Sequence, residues 1–221
     1  MSLKPEGGDA SLMQKLLFDF YIDDMHRCQW FLEPRIPTLG EARGKVVLFS
    51  RFGSSQEQPG GICPPIWPNN YKGLFSYDLP THGQKVTTQD WFSIGSLRYL
   101  DDKFELVKEL LESGATREPY TLALNFCSAS TFPLALPPAV AKGIKGPRCL
   151  AVTGINVRVR DYVAAKLAAS LDEESAAAKV SAPFATAQQG LQAVFALDFF
   201  DYADAIDLVS LLIESNFSAA M

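Results

Sequence analysis

Four short stretches of this chain are largely apolar along their whole length instead of alternating apolar with polar. They are residues 45–52 (KVVLFSRF), 85–92 (KVTTQDWF), 120–130 (YTLALNFCSAS) and 193–202 (AVFALDFFDY). A strand without in–out alternation is buried on both faces, the condition of a parallel sheet with helices laid over it. Segments of helical spacing stand between these strands. Over 10–25, Leu12, Leu16, Leu17 and Phe20 recur at helical intervals, and Asp9 is placed to cap them. Over 96–114, Phe104, Val107, Leu110 and Leu111 form an apolar face behind a Ser96 cap, with Glu105 and Lys108 on the solvated side. A broken helix covers 137–171 and is regular from about Asn156; a last helix covers 203–216. Met1-Ser2-Leu3 reads as the end of one more strand. The reading is an α/β chain of about five parallel strands, organised as a single domain over 1–221.

The composition narrows the function classes. Apolar residues make up 48% of the 221, enough for a sizeable core. A net charge of −5 argues against a nucleic-acid partner, which asks for a basic face. Cys28, Cys63, Cys127 and Cys149 form no C-x-x-C pair, and His26-Arg27-Cys28 has no further ligands near it, so neither metal nor other cofactor is expected. The start MSLKPEGGD lacks the apolar core of a signal peptide, and no stretch reaches 18 uninterrupted apolar residues. Localisation is left open by these observations. The glycines of 40–45 precede a strand, with Val46 where a phosphate loop needs Ser or Thr, and there is no G-x-S-x-G elbow.

Polar groups gather at the C-terminal ends of the strands: Lys4 and Glu6, Arg51, Asp90, Asn125 with Ser128, and Asp198. In (β/α) barrels that end carries the chemistry. Carboxylates accept from hydroxyls while Lys and Arg donate, so such a set suits a polyhydroxylated, anionic ligand. Arg51 closes an apolar strand and opens a long Gly/Pro-rich loop, GSSQEQPGGICPPIWPNNYKG, of the length that in a compact domain is usually functional. The bland alternatives are an ion-pair role for Arg51, a turn cap for Asp90, and helix N-terminal charge for Asp198 together with Asp201 and Asp204.

The segments MSLKPEGGD, IPTLGEARGKVVLFSRFG, PGGICPPIWPNN, VTTQDWF and LDFFDYADAIDLVSLLIESN resemble the bacterial-type phosphatidylinositol-specific phospholipase C family, fungal members included. The resemblance is strongest over 39–92 and weakens over 135–192. It implies a distorted (β/α)8 barrel of the TIM type, here an incomplete one. It also implies metal-independent cleavage of the phosphodiester of phosphatidylinositol, a step of lipid metabolism. Lys4 resembles the family's lysine that hydrogen-bonds inositol hydroxyls, with Glu6 beside it. Arg51 resembles the arginine that holds the ring, and Asp90 the carboxylate that accepts from a ring hydroxyl. Phe92 stands where many members stack a Tyr on inositol. Asp198 resembles the last-strand carboxylate that orients a catalytic histidine.

The family's general base, general acid and phosphate-stabilising arginine belong to strands upstream of the lysine matched by Lys4. His26 and His82 match neither catalytic histidine. The resemblance thus implies a phosphodiesterase portion that is catalytically incomplete as it stands. The alternative is a non-catalytic module that binds the inositol headgroup, or a chain that pairs with a second copy of itself across an open barrel. The implied partners are an inositol phospholipid and a peripheral membrane surface, which Trp67 at the barrel rim could touch.

Overall fold

The computed structural model describes residues 1–5, 7–53, 60–80, 83–113, 120–147, 151–177 and 193–215. The chain divides into two compact units, one of residues 1–69 and 76–86, the other of 70–75 and 87–221. Each is taken by itself.

In the first unit β1 (Ser2–Leu3) is followed by α1 (Ala10–Phe20), β2 (Trp30–Phe31), α2 (Leu39–Ala42), β3 (Val46–Val47) and β4 (Phe49–Ser50). Asp9 caps α1 as expected, its Oδ1 accepting from the Ser11 N–H at 2.8 Å. The helix stops at Phe20, short of Met25. Asp23 supplies the reason: its Oδ1 accepts from the His26 N–H at 2.9 Å, a local side-chain bond that competes with helix continuation. The buried face is Leu17 and Phe18, packed with Ile22 and Leu48, whereas Leu12, Leu16 and Phe20 face out. The expected single strand over 45–52 is two short pieces. β3 lies parallel to β2 (Trp30↔Val46) and β4 parallel to β1 (Ser2↔Phe49), with fully buried Leu48 at the switch between partners. α2 opens with a capping box that the sequence reading passed over: Thr38 Oγ1 accepts from the Glu41 N–H, and Glu41 reaches back to the Thr38 N–H.

The glycines after Arg51 have a packing cause. Ile62 joins the edge of β4, donating to the Leu48 carbonyl at 2.9 Å and accepting from the Ser50 N–H at 3.0 Å. Gly61 sits at φ +66°, and a Cβ there would stand 2.4 Å from the Leu48 carbonyl oxygen. Only glycine allows that approach.

In the second unit the elements are α3 (Leu100–Glu112), β7 (Thr121–Phe126), α4 (Pro137–Lys142), β8 (Gly143–Ile144), β9 (Val152–Thr153), α5 (Ile155–Ala177), β10 (Ala193–Ala196) and α6 (Ala203–Ser215). β5 (Leu74–Asp78) and β6 (Lys85–Gln89) run through both units. β5 went unassigned in the sequence because it directly follows the Gly/Pro-rich stretch. The sheet order is β10-β7-β6-β5, with β10 parallel to β7 in the register Phe195↔Asn125. β8 and β9 pair antiparallel within the span where a broken helix is expected. Ser96 makes no capping bond; a turn of 3-10 helix, Leu97–Tyr99, leads into α3, whose first turn carries Asp101 and Asp102 on the favourable side of the helix dipole. Val107, Ile155, Val159, Val163 and Leu208, all fully buried, form the centre of this unit's core.

Among the described residues β4 runs parallel to β1, β3 to β2 and β10 to β7, in line with the expected α/β class. The strands fall into separate sheets, and no closed ring of strands forms among the described residues.

Candidate functional site

In the first unit Lys4 follows β1 and is exposed; Glu6 lies outside the described residues. Arg51 follows β4, half-buried, its N–H donating to the Leu3 carbonyl at 2.8 Å. Its guanidinium carbon stands 4.1 Å from the centre of the Trp67 ring. A cation–π contact fixes a guanidinium while leaving its charge in place. Trp67 therefore serves as the platform for Arg51, a packing role within the long loop. Tyr77 completes the cluster. Its buried hydroxyl makes no hydrogen bond among the described residues, and burial, with Cys63 adding to it, holds it protonated against the opposing pull of Arg51.

In the second unit Asp90 follows β6 directly and is 6% exposed. Lys103 of α3 feels its charge, Asp90 being one of the groups that raise the lysine. Lys103 is itself fully buried. Its Nζ donates to Gln89 Oε1 at 2.9 Å, to the Trp91 carbonyl at 2.8 Å and to the Phe126 carbonyl at 2.6 Å. Three acceptors match the three protons of an ammonium group. Burial lowers this lysine to about 8, while Cys127 and Asp90 act in the opposite direction. Gln89 ties the group together: Oε1 also accepts from the Trp91 N–H at 2.9 Å, and Nε2 donates to the Phe126 carbonyl at 3.2 Å.

Asn125, read from sequence as a strand-end ligand group, is instead a tie between sheet and helix. Its Nδ2 donates to the Val107 carbonyl of α3 at 2.9 Å, and its Oδ1 accepts from Gln89 at 3.3 Å. Cys127, next past the end of β7, is buried; burial pushes its thiol up to about 12, Lys103 opposing and Asp198 reinforcing. Asp198 lies half-buried beyond β10, where burial raises its carboxyl. Asn156 fixes its backbone, donating to the Asp198 carbonyl at 2.9 Å. No hydrogen bond reaches the Asp198 carboxylate among the described residues.

Phe92 is half-buried, and its carbonyl accepts from the Ser130 N–H at 2.8 Å. That bond anchors the loop after β7. Thr131 adds to the anchor, its Oγ1 lying 3.0 Å from Ser93 Oγ and accepting from the Gly95 N–H at 3.0 Å. Thr131 and Ala135 exchange two backbone bonds of 2.7 Å each, and between and just beyond them Phe132, Leu134 and Leu136 stand out from the surface, 87%, 63% and 46% exposed.

Lys4 and Arg51 thus belong to one unit, and Asp90, Phe92 and Asp198 to the other. Lys103 is the group the sequence reading missed. The signal was present: Leu100, Lys103, Val107, Leu110 and Leu111 are the buried positions of α3, so a lysine stands on the apolar stripe. His26 faces solvent, its Nδ1 2.6 Å from Asp23 Oδ1, and that hydrogen bond lowers the Asp23 carboxyl. His82 lies outside the described residues. Among the described residues no group of three His, Cys, Asp or Glu could hold a metal ion.

No protein-family model and no curated protein sequence matches the chain. Solved structures do. A phosphatidylinositol-specific phospholipase C from Staphylococcus aureus superposes on 92% of this chain with a TM-score of 0.62 at 19% identity. A second structure of the S. aureus enzyme, from work on its membrane binding, superposes on 92% with a TM-score of 0.63 at 20% identity. A double mutant of the same enzyme gives 0.58 at 19%. This chain spans 58% of the length of each of those structures. At such identity the likeness is one of fold, and the fold of this chain is that of a phosphatidylinositol-specific phospholipase C.

Proposed function

We propose that this chain is the headgroup-holding portion of a phosphatidylinositol phosphodiesterase of the phospholipase C type. The observation that carries the reading is the pairing of that fold with donors and acceptors at its strand ends. Arg51 is stacked on Trp67 after β4, and Asp90 is buried after β6. In this reading Arg51 and Lys4 of the first unit are donors suited to ring hydroxyls, and Asp90 and Phe92 of the second are an acceptor and a ring face suited to a sugar. Glu6 belongs to the same set through its place beside Lys4. Asp198 is the carboxylate that orients a histidine during turnover. The reaction class is phosphoric diester cleavage, with no role for a metal. The membrane contact is apolar. With a net charge of −5 the chain gains little from an anionic surface, whereas Phe132, Leu134 and Leu136 form an exposed apolar tip on a loop anchored to the Phe92 carbonyl.

Neither histidine of this sequence matches the family's acid or base, so the 221-residue chain is expected to bind the headgroup without turning it over. Each positioned acid or base contributes about 10²–10⁴-fold. The test is calorimetric titration with myo-inositol, beside hydrolysis of phosphatidylinositol vesicles. The wild type should bind. Arg51→Ala and Asp90→Asn should each weaken binding by about 10- to 100-fold, the scale of a charged hydrogen bond. Absence of myo-inositol binding at millimolar concentration would end the headgroup reading. Robust hydrolysis by the chain alone would assign the acid–base work to His26 or His82.

A further inference from the structure

We propose that Asn70 is the positioning residue for Phe92: its side-chain amide bonds both backbone groups of Ser93 and so fixes the segment that presents the Phe92 ring. This rests on the headgroup reading of Phe92. Asn70 and the segment it holds belong to the same unit. Residues Trp91 to Gly95 leave β6 without entering another strand or helix, so their backbone groups must find partners elsewhere. The Ser93 N–H donates to Asn70 Oδ1 at 2.6 Å, and Asn70 Nδ2 donates to the Ser93 carbonyl at 3.1 Å. A primary amide carries an acceptor and a donor side by side, as a peptide group does, and here it takes the place of a neighbouring strand.

Two separate requirements meet at this position. Asn70 sits at φ +49°, in the left-handed region, which asparagine enters several-fold more readily than most residues with a Cβ. Glycine would suit that backbone and lose both bonds to Ser93; aspartate would keep the acceptor and lose the donor. The geometry ties these bonds to Phe92 directly. The Phe92 carbonyl and the Ser93 N–H are the two ends of one peptide plane. Ser130 donates to the first at 2.8 Å, and Asn70 accepts from the second. On the near side of Phe92 the Trp91 carbonyl accepts from Lys103 at 2.8 Å, and beyond it Ser93 Oγ lies 3.0 Å from Thr131 Oγ1. A peptide plane gripped at both ends cannot turn without breaking bonds, and its rotation is the backbone freedom that would swing the Phe92 ring. A ring already held in one orientation spares the ligand the cost of ordering it.

The experiment uses the full chain as wild type, N70G, F92A and the double variant, titrated calorimetrically with myo-inositol. Affinity should be about tenfold lower in N70G, the scale of one side chain newly immobilised on binding. In the F92A background N70G should bring no further loss, because the ring it positions is gone. Equal affinity in N70G and wild type overturns the proposal, and so does a loss of about tenfold that persists without the ring. Hydrogen exchange followed by NMR reads the grip itself. In N70G the Ser93 amide should exchange at least about tenfold faster, while the amide of buried Val107 in α3 keeps its wild-type rate. Equal acceleration at both would make Asn70 a general stability residue and overturn the proposal. If N70G does not fold, N70D takes its place: it has no donor for the Ser93 carbonyl, and wild-type affinity there overturns the proposal. Should the wild type bind no myo-inositol, the headgroup reading fails and this proposal with it; a wild type that binds, with N70G binding equally well, fails this proposal alone.

Discussion

Replacing Lys103 by methionine should change how the stability of this protein depends on pH, and the sign can be worked from its burial. In the folded chain burial lowers the ammonium from its ordinary 10.5 to about 8. Between those two values the unfolded chain still holds the proton and the folded chain has released it. Stability therefore rises with pH across that window, by the linkage between proton binding and folding. The cost of burying the charge is fully present below about 8 and is relieved by about 10.5. The interval is about 2.5 pH units, and at about 1.36 kcal/mol per unit it amounts to about 3 kcal/mol. Cys127 works in the other direction: between 9.0 and about 12 the unfolded chain has released the thiol proton while the folded chain still holds it, so stability falls as pH climbs through that range. Comparing wild type with K103M at each pH removes most of that background. Urea unfolding at pH 7, 8, 9 and 10.5 is the assay. The gap between wild type and K103M should move by about 3 kcal/mol in favour of the wild type from pH 7 to pH 10.5. Parallel curves would refute the picture of a buried, charged lysine.

Three further outcomes follow from named contacts. Phe132→Ala combined with Leu134→Ser should reduce cosedimentation with phosphatidylinositol vesicles while shifting the unfolding free energy by less than about 0.5 kcal/mol, because both side chains are exposed. Gly143→Ala should cost more than about 2 kcal/mol by denaturant midpoint: φ is +83°, and a Cβ there would stand 2.1 Å from the Val152 carbonyl oxygen. Leu48→Ala should destabilise by about 2–5 kcal/mol, since Leu48 is fully buried where the chain changes strand partners.

The α/β class was legible because buried strands and amphipathic helices have different periods, and β7, β10, α3 and α6 carry those periods clearly. The Asp9 cap was legible for a similarly local reason: its oxygen bonds two residues on. The readings that failed depended on partners distant in sequence. Residues 45–52 have the composition of one strand, yet β3 and β4 take their partners from Trp30–Phe31 and Ser2–Leu3, and those partners decide where each piece begins and ends. Leu12, Leu16 and Phe20 make as good a helical stripe as any, but the buried contacts go to Leu17 and Phe18. Asn125 stood near a strand end and looked available, while Val107, 18 residues away, accepts its amide.

By itself the sequence determined where polar groups stand relative to strand ends, because a strand's direction and its neighbours in the chain are local facts. It placed Arg51 after one apolar strand and Asp90 after another, and its motifs pointed to the fold that the solved structures share. Tertiary structure alone decided what those groups meet. Arg51 finds the Trp67 ring at the far side of a long loop, and the ends of β6 and β7 find a buried ammonium on a helix whose lysine the hydrophobic pattern would have counted as an interruption. Hydrophobic periodicity reports which positions leave water. It does not report which buried polar atoms face each other, and in the low dielectric of a core that pairing sets charge and therefore chemistry.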